Sequence, residues 1–462
     1  MTLHRGSRFA LTIGLLASPA VVQAQAFGLN EIGTCALSRA FAATGAPCDD
    51  ASSVYWNPGA IPRERGFSVL AGAAVIALKG DFTRDTTFER YDTDAPTAVV
   101  PHLFATYRTA GRLAYGLGVY VPYGLTSEWK DDFPGRFAAK KAALQTIYVQ
   151  PNVAFQLLEG WSVGVGPVIG HSSVELIQAI DLSQQRTSAT GPTFGQLGIP
   201  KGTEFARATL KGDAFAFGAH IGVHGRLSPT WQMGARFLTP VYFKYDDADA
   251  TFEPRNTGLV LAPNNPLGAP GGTAVDALPG LATQFTTGAL TAQKVKTRVM
   301  HPAQVQVGFG YTGFPSTLVA LDYAWVGWKQ AFKELPVDFQ GSATDRVLIE
   351  EYNNTSSIRF GIEHRLSGGA TIRGGAAAAA AAAPDVTVTP LLPEQDRTYA
   401  TIGGSYPLTR MLTVDGAYMR IFTPGRRGRL DERSPGQTAE QLNIGAYTLR
   451  ANIVSLSLKA SF

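Results

Sequence analysis

Four groups of residues in this 462-residue chain have the types and spacing that chemistry uses. Asp49 and Asp50 open the stretch DDASSVYWNPGAI, where two acids, two aromatics and an Asn-Pro-Gly turn fall close together. Such a pair could be a catalytic couple, a cation site or a piece of architecture. His220 and His224 stand four apart. On a helix that spacing lets two imidazoles share a metal ion, but on a strand it separates them by ~13 Å. Phe215, Phe217, Ile221 and Val223 occupy the opposite parity, so a strand is expected, with both histidines on its polar face. Gly308-Phe309-Gly310-Tyr311-Thr312-Gly313 fits the dinucleotide fingerprint GxGxxG, which needs a helix N-terminus directly behind it. Phe314-Pro315 and another strand follow instead, so the glycines read as hairpin. Cys35 and Cys48 are the only cysteines. No Ser/His/Asp arrangement stands out at recognisable spacing, so no catalytic residue, metal or cofactor is expected. A lipid hydrolase whose triad assembles from distant strands remains the alternative.

The ends of the chain say where these residues work. Residues 1–24 combine a basic start (His4, Arg5, Arg8), an apolar run and small residues, which is a secretory signal too short to anchor in a membrane. Val22-Gln23-Ala24 and Ala24-Gln25-Ala26 both suit cleavage. Losing Arg5 and Arg8 brings the net charge from +4 to about +2, which gives no reason to expect nucleic acid as partner. Outside the cytoplasm, Cys35 and Cys48 can pair. At the other end, Val454, Leu456, Leu458, Ala460 and Phe462 alternate with Ser455, Ser457, Lys459 and Ser461, a strand with one apolar face. No mature segment holds ~20 apolar residues in a row, so no transmembrane helix is expected. The alanine run 376–383 is too short. Many glycines and aromatics with few cysteines suit an all-β secreted chain.

From residue 67 onward, alternating segments are separated by gaps that are short and long in turn. The short ones carry turn chemistry, as in Leu158-Glu159-Gly160, Gly313-Phe314-Pro315 and Leu366-Ser367-Gly368-Gly369. The long ones fall near 79–98, 123–142, 178–203, 246–292, 329–355, 379–397 and 423–449. Seven long loops and six short turns require fourteen strands with both termini at the short-turn end. That is the plan of an outer-membrane β-barrel, which must close because unpaired backbone groups are costly in lipid. Val319, Leu321, Tyr323 and Trp325 are expected toward lipid, and Ala320, Asp322 and Ala324 inward. Leu412, Val414 and Tyr418 oppose Thr413, Asp415 and Ala417 likewise. Trp161 and Trp231 suit an interfacial girdle. Residues 25–66 lack alternation, and Phe27, Leu29, Phe41, Tyr55 and Trp56 among them favour a plug inside the lumen over a periplasmic tail. The expected architecture is all-β, with a 14-stranded barrel over 67–462 and an N-terminal plug.

Several stretches then carry a resemblance. AFGLNEIGTCALSRAFAATGAPCDDASSVYWNPGAI is similar to the mature N-terminus and hatch of the outer-membrane hydrophobic-compound transporters, the FadL/TodX family. VPYGLTSEWKDDFPGRFAAKKAALQTIYVQPNVAFQL (121–157) resembles that family's third and fourth strands. LLPEQDRTYATIGGSYPLTRMLTVDGAYMRIF (391–422) resembles the segment before its last strand. The resemblance implies passive uptake of long-chain fatty acids or other hydrophobic compounds by a monomeric protein lodged in lipid and lipopolysaccharide. It also implies that a shift of the hatch releases the substrate sideways at a kinked third strand. Gly116, Gly118 and Pro122 are expected to make that kink, although Pro122 could simply end the strand. Asp49, Asp50, Asn57 and Pro58 are expected to anchor or hinge the hatch. Arg136 and Phe137, in the second long loop, are candidates for substrate contact; Lys140, Lys141, Lys294, Lys296 and Arg298 could equally face solvent or lipopolysaccharide phosphate. A fatty-acid carboxylate would want an inward Arg or Lys, whereas an aromatic hydrocarbon would not.

Overall fold

Alternating strands that cannot leave backbone groups unpaired in lipid have one solution, and a computed structural model adopts it. The structure describes residues 26–433, 437 and 439–462; the signal segment 1–24 and the cleavage site Val22-Gln23-Ala24 lie outside them. Fourteen antiparallel strands form one closed wall. They are β1 (Phe67–Arg84), β2 (Ala98–Arg108), β3 (Leu113–Glu128), β4 (Lys141–Leu158) and β5 (Trp161–Ile180). Next come β6 (Ala206–Arg226), β7 in two segments (Trp231–Leu238, Val241–Pro254) and β8 in two (Gln293–His301, Gln304–Phe314). The circuit finishes with β9 (Thr317–Val326), β10 (Thr355–Arg365), β11 (Thr371–Ala379), β12 (Arg397–Pro407), β13 (Leu412–Phe422) and β14 (Gly445–Ser461). β14 pairs with β1 from Ser68↔Ser461 to Arg84↔Gly445, which leaves no free edge there.

The faces follow the alternation. Leu321 and Tyr323 are exposed while Asp322 is buried; Phe215 and Phe217 point out while His220 and His224 are buried in the lumen. The expected loops are too long at several places. β1 runs on to Arg84, β3 to Glu128 and β7 to Pro254. Beyond the apolar layer the outward face no longer needs apolar side chains, so the pattern fades while the ladder continues. The loop after β9 also holds a hairpin, Glu334–Phe339 with Arg346–Ile349, whose first strand pairs with Val295–Thr297 of β8.

Proline interrupts the wall on one side only. β7 breaks at Thr239-Pro240, β8 at Pro302-Ala303, and the β4–β5 ladder skips the positions where Pro151 faces Pro167. Proline donates no ladder hydrogen bond, so each is a local weakening. The ladders from β9 through β13 run without a register shift.

Inside, residues 26–64 are almost wholly buried. Two short helices, α1 (Thr34–Ser38) and α2 (Ser53–Trp56), and a 3-10 turn over Pro58–Arg63 fill the end of the lumen that carries the short turns. Cys35 and Cys48 are joined by a disulfide.

Candidate functional site

The site is built from a broken strand edge, the N-terminal segment laid on it and a cavity running through the wall. On β3, Ala114 to Tyr120 pair with β2, and with β4 from Leu113 to Tyr120. At Val121-Pro122 the β4 ladder shifts register, resuming at Tyr123↔Thr146. Parity flips across this bulge: Gly118 and Tyr120 face inward before it, Tyr123 and Leu125 after it. Pairing with β2 stops there altogether. Ala98–Pro101 of β2 bond only to β1, so the upper half of β3 has a free edge. The interruption is thus at Val121-Pro122, and Gly116 and Gly118 are not part of it. Both glycines lie in unbroken ladder and face the plug, where a Cβ on Gly116 would stand 2.6 Å from Val54.

The N-terminal segment covers part of that edge. Leu29 donates its N–H to Pro122 O (2.8 Å), and Gly124 donates to Phe27 O (3.0 Å), an antiparallel bridge in place of β2. Higher up, Asp94 N–H donates to Glu128 O. Phe27 inserts its ring against Trp328 and Phe332 from the loop after β9. Ala26 is clamped from the other side: its N–H reaches Glu394 Oε1 (2.5 Å) and its carbonyl accepts from Arg397 (3.2 Å). Glu394 also accepts from the Ala382 and Ala383 amides, and burial pushes its carboxyl above the usual range.

A cavity of about 780 Å³ lies against this strap. Its inner wall is apolar, with Ile76, Val100, Leu125, Leu144, Val174 and Ile453, and its polar groups include Glu31, Glu394 and Arg397. It is also lined by outward-facing residues, Val99 on β2 and Gln145, Glu175 and Asp213 farther round. Residues from both faces of the wall therefore border one space: Val99 lies where the β2–β3 ladder is missing, and the other three where the β4–β6 ladders are continuous. A smaller apolar recess behind Phe27 shares Leu125, Leu144 and Val174 with it. A third cavity, about 240 Å³, sits among the outer loops between Ile180, Leu182, Phe252, Leu290 and Phe339.

Beyond the strap the plug is held from all sides. Asp322 accepts from the amides of Ala43 (2.9 Å), Thr44 (2.6 Å) and Gly45 (3.3 Å). Asn57 donates to Thr44 O and Val223 O and accepts from Gly59 N–H, and Pro58 starts the 3-10 turn. Asp50 is buried and accepts from the Ser52 amide and hydroxyl, while Asp49 is exposed beside Lys459. Gly308 of the GxGxxG stretch faces the lumen with its backbone against that of Gly45, an approach a side chain would block. Glu64 accepts from Ser53 (2.6 Å) and Thr106 (2.7 Å), and burial pushes its carboxyl up to about 7.

Arg136 and Phe137 are placed elsewhere. Arg136 stacks on Phe137 and pairs with Glu204 (3.2 Å), in an outer network with Arg207, Asp131 and Lys140, and neither residue lines these cavities. Among the described residues, the trio close enough to hold a metal ion is Cys35, Cys48 and Asp50, and its two sulfurs are already bonded to each other. His102 Nε2 lies 2.9 Å from Ser457 Oγ, and among the described residues its Nδ1 has no hydrogen-bond partner. Nothing local in the sequence marks Glu394, in a loop, or Arg397, the first residue of β12, as facing a cavity.

The comparisons agree with this geometry. A family model described as outer membrane protein transport protein (OMPP1/FadL/TodX) matches residues 15–462. The chain is 25% identical over 431 residues to the long-chain fatty acid transport protein of Escherichia coli O6:H1, covering 90% of each chain. It is 24% identical over 487 residues to outer membrane protein P1 of Haemophilus influenzae, covering 98% of each. In fold it is similar to a Pseudomonas aeruginosa FadL homologue, at TM-score 0.77 and 18% identity over 95% of this chain and 100% of that one. The Pseudomonas putida toluene transporter TodX gives 0.66 and 14%, again over 95% and 100%. A closed fourteen-stranded wall, a filled lumen and a family match along nearly the whole length make this chain a member of the OMPP1/FadL/TodX family of outer-membrane transport proteins.

Proposed function

We propose that the protein carries long-chain fatty acids passively across the outer membrane and releases them sideways into the bilayer. A substrate lodges first in the recess among the outer loops, passes to the large cavity, and leaves through the β2–β3 seam once the strap over residues 26–29 lifts from the edge of β3. The observation that carries this reading is one cavity whose lining reaches the missing β2–β3 ladder and includes the outward-facing Val99 beside it. Its volume suits a lipid-sized ligand, and an apolar solute moves downhill from pocket to lipid without an energy source. Arg397 on the cavity wall offers a fixed cation of the kind a carboxylate wants, and several of the curated relatives, the Escherichia coli protein among them, are named for long-chain fatty acid transport. An aromatic hydrocarbon, as in the toluene transporters that share the fold, would have no use for that cation.

The test is uptake of a labelled long-chain fatty acid and of labelled toluene by cells with and without the protein. Fatty-acid uptake should rise several-fold and toluene uptake little. A rise for toluene alone would move the substrate class, and no rise for either would remove the transport reading.

A further inference from the structure

The outward face of β7 and β8 changes character at one level. On β8 the outward positions run Tyr311, Phe309, Val307, Val305 and, past the break, Met300; then come Arg298, Lys296 and Lys294. Tyr311 and Met300 are eleven positions apart. At about 3.3 Å per residue on a strand tilted by roughly 40°, they span about 28 Å, close to the height of the apolar band of such barrels. Arg298 is therefore the first outward residue beyond the acyl layer. β7 makes the same change from Tyr242 to Lys244, and the register places Met300 opposite Tyr242 and Arg298 opposite Lys244.

Two like charges directly opposite on one face repel, and the neighbouring acids relieve only part of this. Among the described residues no acid lies within ion-pair distance of Lys244 or Lys296, although the register sets Asp338 directly opposite Lys296; Arg298 has one long pair, with Glu334 at 3.7 Å. Lys294 differs, since Asp249 (2.8 Å) and Asp247 (3.2 Å) neutralise it. Just below the cations, large apolar side chains stand free. Phe215 and Phe217 of β6 are 68% and 72% exposed and Tyr242 is 63% exposed.

We infer that Lys244, Lys296 and Arg298 bind the phosphate of an outer-leaflet glycolipid, whose acyl chains lie on the shelf of Phe215, Phe217 and Tyr242. Charge complementarity chooses the head group, since Lys244 and Lys296 have no acid within ion-pair distance and Arg298 has a single long pair, so the cluster calls for a multiply charged oxyanion that a guanidinium can grip bidentately. Height chooses the source. Free phosphate would have no use for an aromatic shelf, whereas the phosphorylated lipid of the outer leaflet puts its phosphate where the apolar band ends.

Native mass spectrometry of the whole barrel in neutral detergent, with added lipid A carrying its phosphates, tests this. Wild type should retain the lipid, the triple variant K244Q/K296Q/R298Q should hold it at least about tenfold more weakly, and K294Q should behave as wild type. The altered side chains face outward, and heat-modifiable gel mobility reports whether the barrel has assembled. A second comparison needs no variant: wild type should favour lipid A over its dephosphorylated form, and excess inorganic phosphate should not displace it. Equal retention by the triple variant, equal binding of the dephosphorylated lipid, or displacement by inorganic phosphate would each overturn the assignment.

Discussion

Asp322 is an acid on an otherwise apolar strand, and three amides of the plug converge on its carboxylate. Replacing it with alanine leaves three buried donors without an acceptor, at about 1–3 kcal/mol each. Asp322→Ala should therefore unseat residues 43–45 by about 3 kcal/mol or more, read as faster swelling of liposomes in small sugars while the barrel still assembles. Glu64 predicts a pH dependence. Its carboxyl is raised from 4.5 to about 7 by burial, so the seated plug favours the protonated form. Seating is strongest below pH 4.5 and weakens as pH rises toward 7, levelling off above. Hydrogen exchange over residues 50–64, corrected for intrinsic rates, should be faster at pH 8 than at pH 5, and Glu64→Gln should flatten the difference. Asp322 was half legible, whereas nothing in the sequence singled out Glu64. Alternation put Asp322 in the lumen, but no sequence pattern announces the three amides that meet it, which lie 277–279 positions away.

At the scale of elements, the β2–β3 seam and the strap decide the behaviour. Leu29→Pro deletes the N–H that binds Pro122 O, which should loosen the strap and raise basal uptake without affecting assembly. Unchanged uptake would mean that the Ala26 clamp at Glu394 and Arg397 holds the strap by itself. Gly116→Leu acts differently, since its side chain would collide with Val54 and Ile61 of the plug. That variant should expose residues 54–61 to protease instead of altering the seam. The bulge was visible as Pro122 within an alternating run, because proline cannot continue a ladder. The role of Gly116 and Gly118 was not, because a glycine that bends a strand and one that admits a neighbour look alike until the neighbour is known. The other proline sites, Pro151, Pro167, Pro240 and Pro302, gather on the same side of the wall as the seam.

For the whole molecule, the plug carries a covalent link of its own and the wall closes by hydrogen bonds. The disulfide closes a 13-residue span within the plug, and losing such a link typically costs ~2–4 kcal/mol. Cys35→Ser with Cys48→Ser should make the plug more susceptible to protease while the barrel keeps its heat-resistant mobility; equal loss of both would mean that the wall depends on the plug. The sequence by itself determined the closed all-β wall, its fourteen strands, its two kinds of connection and the faces of most strands. Those follow from a period of two and from the cost of unpaired backbone groups in lipid, which are local and additive along the chain. The tertiary structure decided what the plug touches, where the edge of β3 is free, and that Arg397 and Glu394 hold Ala26 beside the cavity. These depend on which residues meet after closure, and barrel closure brings together positions hundreds of residues apart with no trace in local pattern.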